Sequence, residues 1–520
     1  MSVSLAEAMV NAATEAIAGR AEQALAELYL AREAGHRSPE LLAAIGHLQF
    51  ELREFAGAAD AYREALALDR NNSTNQYNLG VCREKLEAWE QAAQAFQKAI
   101  ELDSRRASAY LGLGIAQLHL ERPEQALAAF ERCLERQPFR EAALRGQAVT
   151  LHLLNRYSEA SECYRKLMAR DSESEELLGN AILLAIHSGD YELLGEYSKK
   201  LMSLRPDSPL GLEGAALAEF ARRDYDAAYR YCASLVEAYP DRFEAWFNTG
   251  VALQKLGFYD KAADAYRRAA ALSPQSAETF LSLGTVLHEI ERWDEAQEAY
   301  QKALALSPQL KAAMWNLALL LEGRRELREA GNLYGRIVES YPDAQDAWFR
   351  LGYVRLQSGD FAGCIHALQA CIALPKNFPE ALLNLGIAHW KMGNLEMAKD
   401  AFRQAQGSSS KSSEALRCLA AIAIQQQQYE QALSLHKQLL EAGEPASDTL
   451  YNLALLLQKR GRAADAVRYY RQALAQRADF PQASLNLGHA LMSLGKHEEA
   501  QAAWQTALRG RPQLAEQFLV

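Results

Sequence analysis

Seven asparagines share one register of this 520-residue chain: Asn78, Asn180, Asn248, Asn316, Asn384, Asn452 and Asn486. From Asn180 to Asn452 they recur every 68 residues. A carboxamide both donates and accepts, so a column of them can hold the backbone of an extended peptide without reading its side chains. The competing role is a local hydrogen bond within the fold. Aromatic side chains stand at nearby registers: Tyr77, Phe247, Trp315, Phe349 and Tyr451, with Tyr353 and Trp390 one and two helical turns further on. Clustered aromatics on an open face anchor a bound partner; the alternative is that they pack on the next helix.

Other chemistry has weaker sequence support. His119, His152 and His187 sit at nearly matched registers, where they could meet a metal or respond to pH, but no carboxylate or cysteine stands at ligand spacing. Eight acids, from Glu40 to Asp448, recur at one register near predicted helix starts, where an acid stabilises the helix dipole without any ligand. The seven cysteines are scattered and form no CxxC pair, which fits small apolar filler in a reducing compartment. There is no GxSxG, HExxH, phosphate loop or dinucleotide fingerprint. No catalytic residue, cofactor or metal site is therefore expected. A net charge of −10 argues against a nucleic-acid partner, and no apolar run is long enough for membrane insertion. The N-terminus carries Glu7 and Glu15 and no basic stretch, so a cytoplasmic location is expected.

These registers come from a repeat. "YNLGVCREKLEAWEQAAQAFQKAIELDS" from Tyr77, "FNTGVALQKLGFYDKAADAYRRAAALSP" from Phe247 and "YNLALLLQKRGRAADAVRYYRQALAQRA" from Tyr451 are offset by multiples of 34. The frame gives fifteen uninterrupted repeats beginning at 5, 39, 73, 107, 141, 175, 209, 243, 277, 311, 345, 379, 413, 447 and 481. Position 8 is Gly or Ala in fourteen repeats, with Ile182 the exception, and position 20 is Ala in thirteen. Position 24 is usually aromatic, as in Tyr62, Phe96 and Tyr300. Small residues at 8 and 20 let two helices approach, and the ring at 24 fills the space beside them. Seven of the fourteen prolines fall at position 32, in a turn, and none falls inside a predicted helix.

The 34-residue period and the W-L-G-Y…A…F…A…P pattern, fullest in "AWFNTGVALQKLGFYDKAADAYRRAAALSP" from Ala245, resemble the tetratricopeptide repeat family. The resemblance covers residues 5 to 514. It implies an all-α fold, a right-handed α-α superhelix (solenoid) of helix-turn-helix repeats, with helices near positions 2–14 and 17–30. It also implies a groove lined by the first helices. At about 100° per residue, positions 4, 7, 8 and 11 form the packing side and positions 2, 5, 6, 9, 12 and 13 the open side. The asparagine column is similar to the ladder in the tetratricopeptide arm of O-linked N-acetylglucosamine transferases.

A non-catalytic scaffold for protein-protein interaction follows, binding an extended peptide or protein segment of unknown identity in the groove. One alternative is a substrate-recognition arm whose glycosyltransferase lies on another chain. Another is a self-assembling scaffold: only "AEQFLV" follows the last repeat, so the repeat ends could self-associate. Repeats over 141–242 are degenerate, with Ala148, Ile182 and Ala216 in place of the usual glycine. The serine stretch "AQGSSSKSSEA" keeps the 34-residue count, so it marks a possible hinge over 406–413 rather than a domain boundary.

Overall fold

A computed structural model of the chain describes residues 4–407, 412–442 and 446–511. Among the described residues every regular element is a helix, and the thirty helices pair two to a repeat. First helices occupy positions 1–13, as in Ser73–Lys85, one residue earlier than expected; second helices occupy 17–30, as in Trp89–Leu102. Position 34 often starts the next repeat. Ser38, Asn72, Ser174, Ser208 and Ser276 each accept a backbone N–H three residues on and cap the following helix. Inside each repeat the chain reverses through position 15, where φ lies between +56° and +81° in all fifteen. Seven of these residues are glycine and eight are not. The tight turn holds its left-handed residue whether or not glycine relieves it, at about 1–2 kcal/mol where it does not.

The helices form two compact units, Met1–Leu272 and Ser273–Val520, divided in the turn that closes the eighth repeat. The same packing rule operates within each. Alanines at position 20, from Ala24 to Ala500, are fully buried, and the largest fully buried side chains are the rings at position 24. Glycine makes room for those rings. A Cβ on Gly80 would lie 2.7 Å from the Phe96 ring, and one on Gly112, position 6 of the next repeat, would lie 2.5 Å from it. Phe96 is therefore sandwiched between two glycines, and Phe130 sits likewise between Gly114 and Gly146.

The buried side of the first helix is wider than the four expected positions. Positions 3 and 10 are buried as well, as in Ala109, Ala116, Ala245 and Ala252. The reason is that, within a unit, a first helix packs on the second helix of the preceding repeat as well as on its own. The open arc is correspondingly narrow. Positions 5, 6 and 12 lie at its edges, and position 9 is at its centre.

Repeat six departs from the rule in a compensated way. Serine replaces the ring at position 24, and Ile182 at position 8 fills the space that a ring would have taken. Ser198 is fully buried and its Oγ has no partner among the described residues. The aromatic residue has moved one place, to Tyr197. Near the serine stretch, the second helix of repeat twelve (Leu395–Gln406) ends at position 28, two residues short of the usual span. The rest of the possible hinge, residues 408–411, and the tail from 512 lie outside the described residues.

Candidate functional site on the open face of the first helices

The asparagine column divides into two kinds. All seven side chains are half-buried. Asn78 hydrogen-bonds the hydroxyl of Tyr62, the position-24 ring of the preceding repeat, and Asn316 does the same for Tyr300. Asn316 also donates to Thr285 Oγ1 at 3.4 Å, and Asn486 Nδ2 donates to the Tyr451 hydroxyl at 2.9 Å. These three satisfy buried or half-buried hydroxyls. Asn180, Asn248, Asn384 and Asn452 make no hydrogen bond to the described chain, and all four belong to the 68-residue series. Opposite three of them the preceding position 24 is Cys232, Leu368 or His436, which has no hydroxyl to satisfy.

The aromatic candidates are less open than their register suggests. Position 5 belongs to the expected open side, but most of its rings lean on the second helix of their own repeat. Tyr77 meets Phe96 at 5.8 Å between ring centroids, Phe247 meets Tyr266 at 5.7 Å, and Trp315 meets Tyr334 edge-on at 5.6 Å. Tyr451 meets Tyr470 at 5.9 Å and Phe480 at 4.9 Å, while Phe349 packs on Phe378 at 5.4 Å. Trp390 stands edge-on to Phe402 at 6.5 Å and donates its indole N–H to Gln425 at 2.9 Å. Geometry accounts for this: position 5 lies only about 60° around the helix from the glycine at position 8. All of these rings, and Tyr353, are half-buried.

Other apolar residues on this face are more open than these rings. Position 9 holds a large aliphatic side chain in most repeats, and in repeats five, six and seven it is exposed: Val149 at 40%, Leu183 at 42% and Leu217 at 37%. Leu153, one turn beyond Val149, is exposed too. Adjacent charges are already paired. Arg145 binds Glu141 at 2.7 Å and Glu176 at 2.9 Å, and Arg242 binds Glu213 at 2.7 Å. The row is therefore apolar and locally neutral. Its signal in the sequence was an aliphatic residue at position 9, where an open face should be polar.

The three histidines do not converge. His119 stacks flat on Trp89 with centroids 3.7 Å apart, whereas His152 Nε2 and His187 Nδ1 are 2.7 Å apart. Burial, and then the neighbouring His187, hold His152 below the usual histidine range. Among the described residues no group of three His, Cys, Asp or Glu could hold a metal ion. No described helix is long and apolar enough to cross a membrane. Of the recurring acids at position 2, Glu176, Glu244, Asp346 and Asp448 sit in ion pairs with neighbouring repeats or turns, consistent with a structural role.

Several known proteins are similar to parts of this chain. A curated relative, Protein FlbA of Caulobacter vibrioides, is 27% identical over 163 residues, 31% of this chain and 27% of that protein's own length. Among solved structures, YrrB, described as a TPR protein with an unusual peptide-binding site, is 19% identical over 36% of this chain and 97% of its own, with a TM-score of 0.33. PilF of Pseudomonas aeruginosa is 25% identical over 40% of this chain and 96% of its own, at a TM-score of 0.34. The complex of Naa15 and Naa10 bound to HypK-THB matches over 98% of this chain and 94% of its own, at 12% identity and a TM-score of 0.37. Family models for the tetratricopeptide repeat match residues 43–110, 85–141, 111–175, 241–309, 317–377, 379–411 and 457–517, together more than half of the sequence. The chain belongs to the tetratricopeptide repeat family, whose arrays of paired helices serve as scaffolds for protein interaction.

Proposed function

We propose that this chain is a non-catalytic scaffold that binds an extended, uncharged segment of a partner protein along the open face of its first helices. The observation that carries this reading is the exposed row Val149, Leu183 and Leu217. Fully burying a Val or Leu contributes about 1.5–3 kcal/mol, so side chains left two-fifths exposed offer roughly 0.5–1 kcal/mol each to a partner. The three first helices are neighbours. Those of repeats six and seven touch, and the His152–His187 and Arg145–Glu176 contacts join repeats five and six. Packed helices lie about 8–10 Å apart, and a polyproline-type strand advances about 9.3 Å in three residues. A partner with an aliphatic residue at every third position thus meets the row in step. The free amides of Asn180 and Asn248 stand beside it to take that partner's backbone. Asn384 and Asn452 play the same part in the unit Ser273–Val520. There the rings at Trp315, Phe349, Tyr353 and Trp390 contribute flanking apolar walls.

An array of uncharged peptides of about twelve residues tests this, half with an aliphatic residue at every third position and half with the same residues scrambled. The periodic peptides are expected to bind, and the variant V149N/L183N/L217N to bind them at least tenfold more weakly with its helical content unchanged. Equal binding by wild type and variant would overturn the reading.

A further inference from the structure

The shift of the aromatic residue from position 24 to 23 in repeat six has a second consequence, away from the open face. Position 23 is Ala in most repeats; Tyr197 there turns its ring by about 100° around the helix, out of the interface with its own first helix. It becomes one wall of a pocket of about 280 Å³ between the second helices of repeats five and six. Ala181, Leu184 and Ala185, from the first helix of repeat six, make an apolar floor. The opposite wall comes from the second helix of repeat five and carries Tyr157, Ser158, Ser161 and Tyr164.

Two of the tyrosines are largely buried, with hydroxyl oxygens that still reach solvent. Tyr164 is 2% exposed and Tyr197 is 6% exposed, and neither hydroxyl bonds to the described chain. Tyr164 is alone in this among the position-24 tyrosines. Tyr266, Tyr334 and Tyr470 donate to Gln254, Glu322 and Gln458 at 2.8–2.9 Å, and Tyr62 and Tyr300 are bound by Asn78 and Asn316. Burial pushes the Tyr164 phenol up to about 12, so it stays a neutral donor. Both hydroxyls are therefore free to bond a ligand as well as water. At the rim Arg165 pairs with Glu162 at 2.6 Å, while Asp190 Oδ1 accepts the Leu193 backbone N–H at 3.1 Å and keeps its negative charge.

We propose that this pocket is a binding site for a small, neutral, polyhydroxylated molecule the size of a monosaccharide. The apolar floor suits the C–H face of a sugar or cyclitol ring, and the surrounding hydroxyls suit its edge. Drug-sized ligands occupy pockets of about 300–1,000 Å³, so this one admits only a single small ring. The Asp190 carboxylate repels an acidic counterpart, and the apolar floor disfavours an ammonium group. The site is independent of the peptide-binding row, which lies on another face of the same repeats.

Ligand-observed saturation-transfer NMR and titration calorimetry on the full chain test the assignment, with glucose and myo-inositol as probes against glucuronate, glucosamine and cyclohexanol. At least one neutral polyol is expected to bind, and neither charged sugar nor cyclohexanol to match it. Ser161→Leu should abolish that binding by filling the pocket. Position 21 is already Leu at Leu25, Leu127 and Leu433, so the variant has precedent in the same fold. Tyr164→Phe should weaken binding roughly 3- to 10-fold by removing one hydrogen bond. No polyol binding to wild type, undiminished binding by Ser161→Leu, or equal binding of a charged or apolar probe would each overturn the proposal.

Discussion

Repeats ten to twelve and repeats five to seven obey the same 34-residue rule, yet one set covers its apolar face and the other leaves it bare. In repeats ten to twelve, position 5 holds Trp315, Phe349 and Leu383, and position 9 holds Leu319, Tyr353 and Ile387. Residues four apart stack on one face of a helix, so each large side chain at 5 shields the one at 9, and all six are half-buried. In repeats five to seven, position 5 holds Arg145, Gly179 and Glu213, and nothing apolar covers Val149, Leu183 or Leu217. A wealth of aromatic residues therefore does not mark the stickiest surface. What matters is whether a large residue has an equally large neighbour one turn away.

The same pair of regions separates two ways of filling the space between paired helices. Where glycine stands at position 8, a ring at position 24 fills the gap, as Phe402 does against Gly386. Repeat six reverses the sizes, with Ile182 opposite Ser198. The largest expected effect follows from undoing that reversal by half. Ile182→Gly restores the common residue but leaves a void, and should cost at least about 3 kcal/mol in urea or thermal unfolding of the unit Met1–Leu272. Adding Ser198→Phe should recover most of that loss, because Gly214 at position 6 of the next repeat completes the sandwich seen at Gly80, Phe96 and Gly112. A double variant no more stable than Ile182→Gly would show that the two repeat types are not interchangeable packings of one frame.

Position 24 also carries a pH signature where its ring is an imidazole. His436 in repeat thirteen is 4% exposed, and neither ring nitrogen has a partner among the described residues. Burial lowers its pKa from the ordinary 6.5 to about 4. The unfolded chain therefore takes up a proton near pH 6.5, while the folded chain resists until about pH 4. The stability associated with neutral His436 is present above pH 6.5 and is lost as pH falls through that window, to a total of about 3 kcal/mol. Unfolding of the wild type and of His436→Phe at pH 7.5 and pH 4.5 should show a steeper loss in the wild type. Parallel losses would mean that the phenylalanine-like packing of this position does not depend on the proton.

Much of this was legible in the sequence, and the parts that were not share one cause. Registers 8, 20 and 24 and the turn prolines are properties of a single repeat, and one chain offers fifteen copies of the frame in which to see them. Most helix limits fell within a residue of the structure for the same reason, the exceptions being second helices that end at position 28, as in repeats five, eleven and twelve. The burial of positions 3 and 10, by contrast, depends on how the first helix leans on the preceding repeat, which a period does not encode. Treating 4, 7, 8 and 11 as the whole packing stripe made position 5 look open and hid position 9 at the centre of the face. The amides that differ, Asn78 and Asn316 against Asn248 and Asn384, were separable in principle by asking whether position 24 one repeat earlier carries a hydroxyl. The left-handed residue at position 15 was masked because Arg, Glu, Asn and Gln occupy it as often as glycine.

The smallest effect, and the most direct test of the shielding argument, lies at Gly179. This residue has helical backbone and open space around it: an added Cβ would come no closer than 3.5 Å to Leu210. Gly179→Leu should stabilise the first helix of repeat six by roughly 1 kcal/mol through propensity alone. It should also cover Leu183, one turn on, as Trp315 covers Leu319. If exposure at position 9 is set by the neighbour at position 5, this variant will bind fewer molecules of an apolar fluorescent dye than wild type and take up the periodic peptides less well. Trp315→Ala should do the opposite in the other region and raise dye binding. Stabilisation with dye and peptide binding unchanged would separate helix propensity from shielding and remove the reason given for the difference between the two regions.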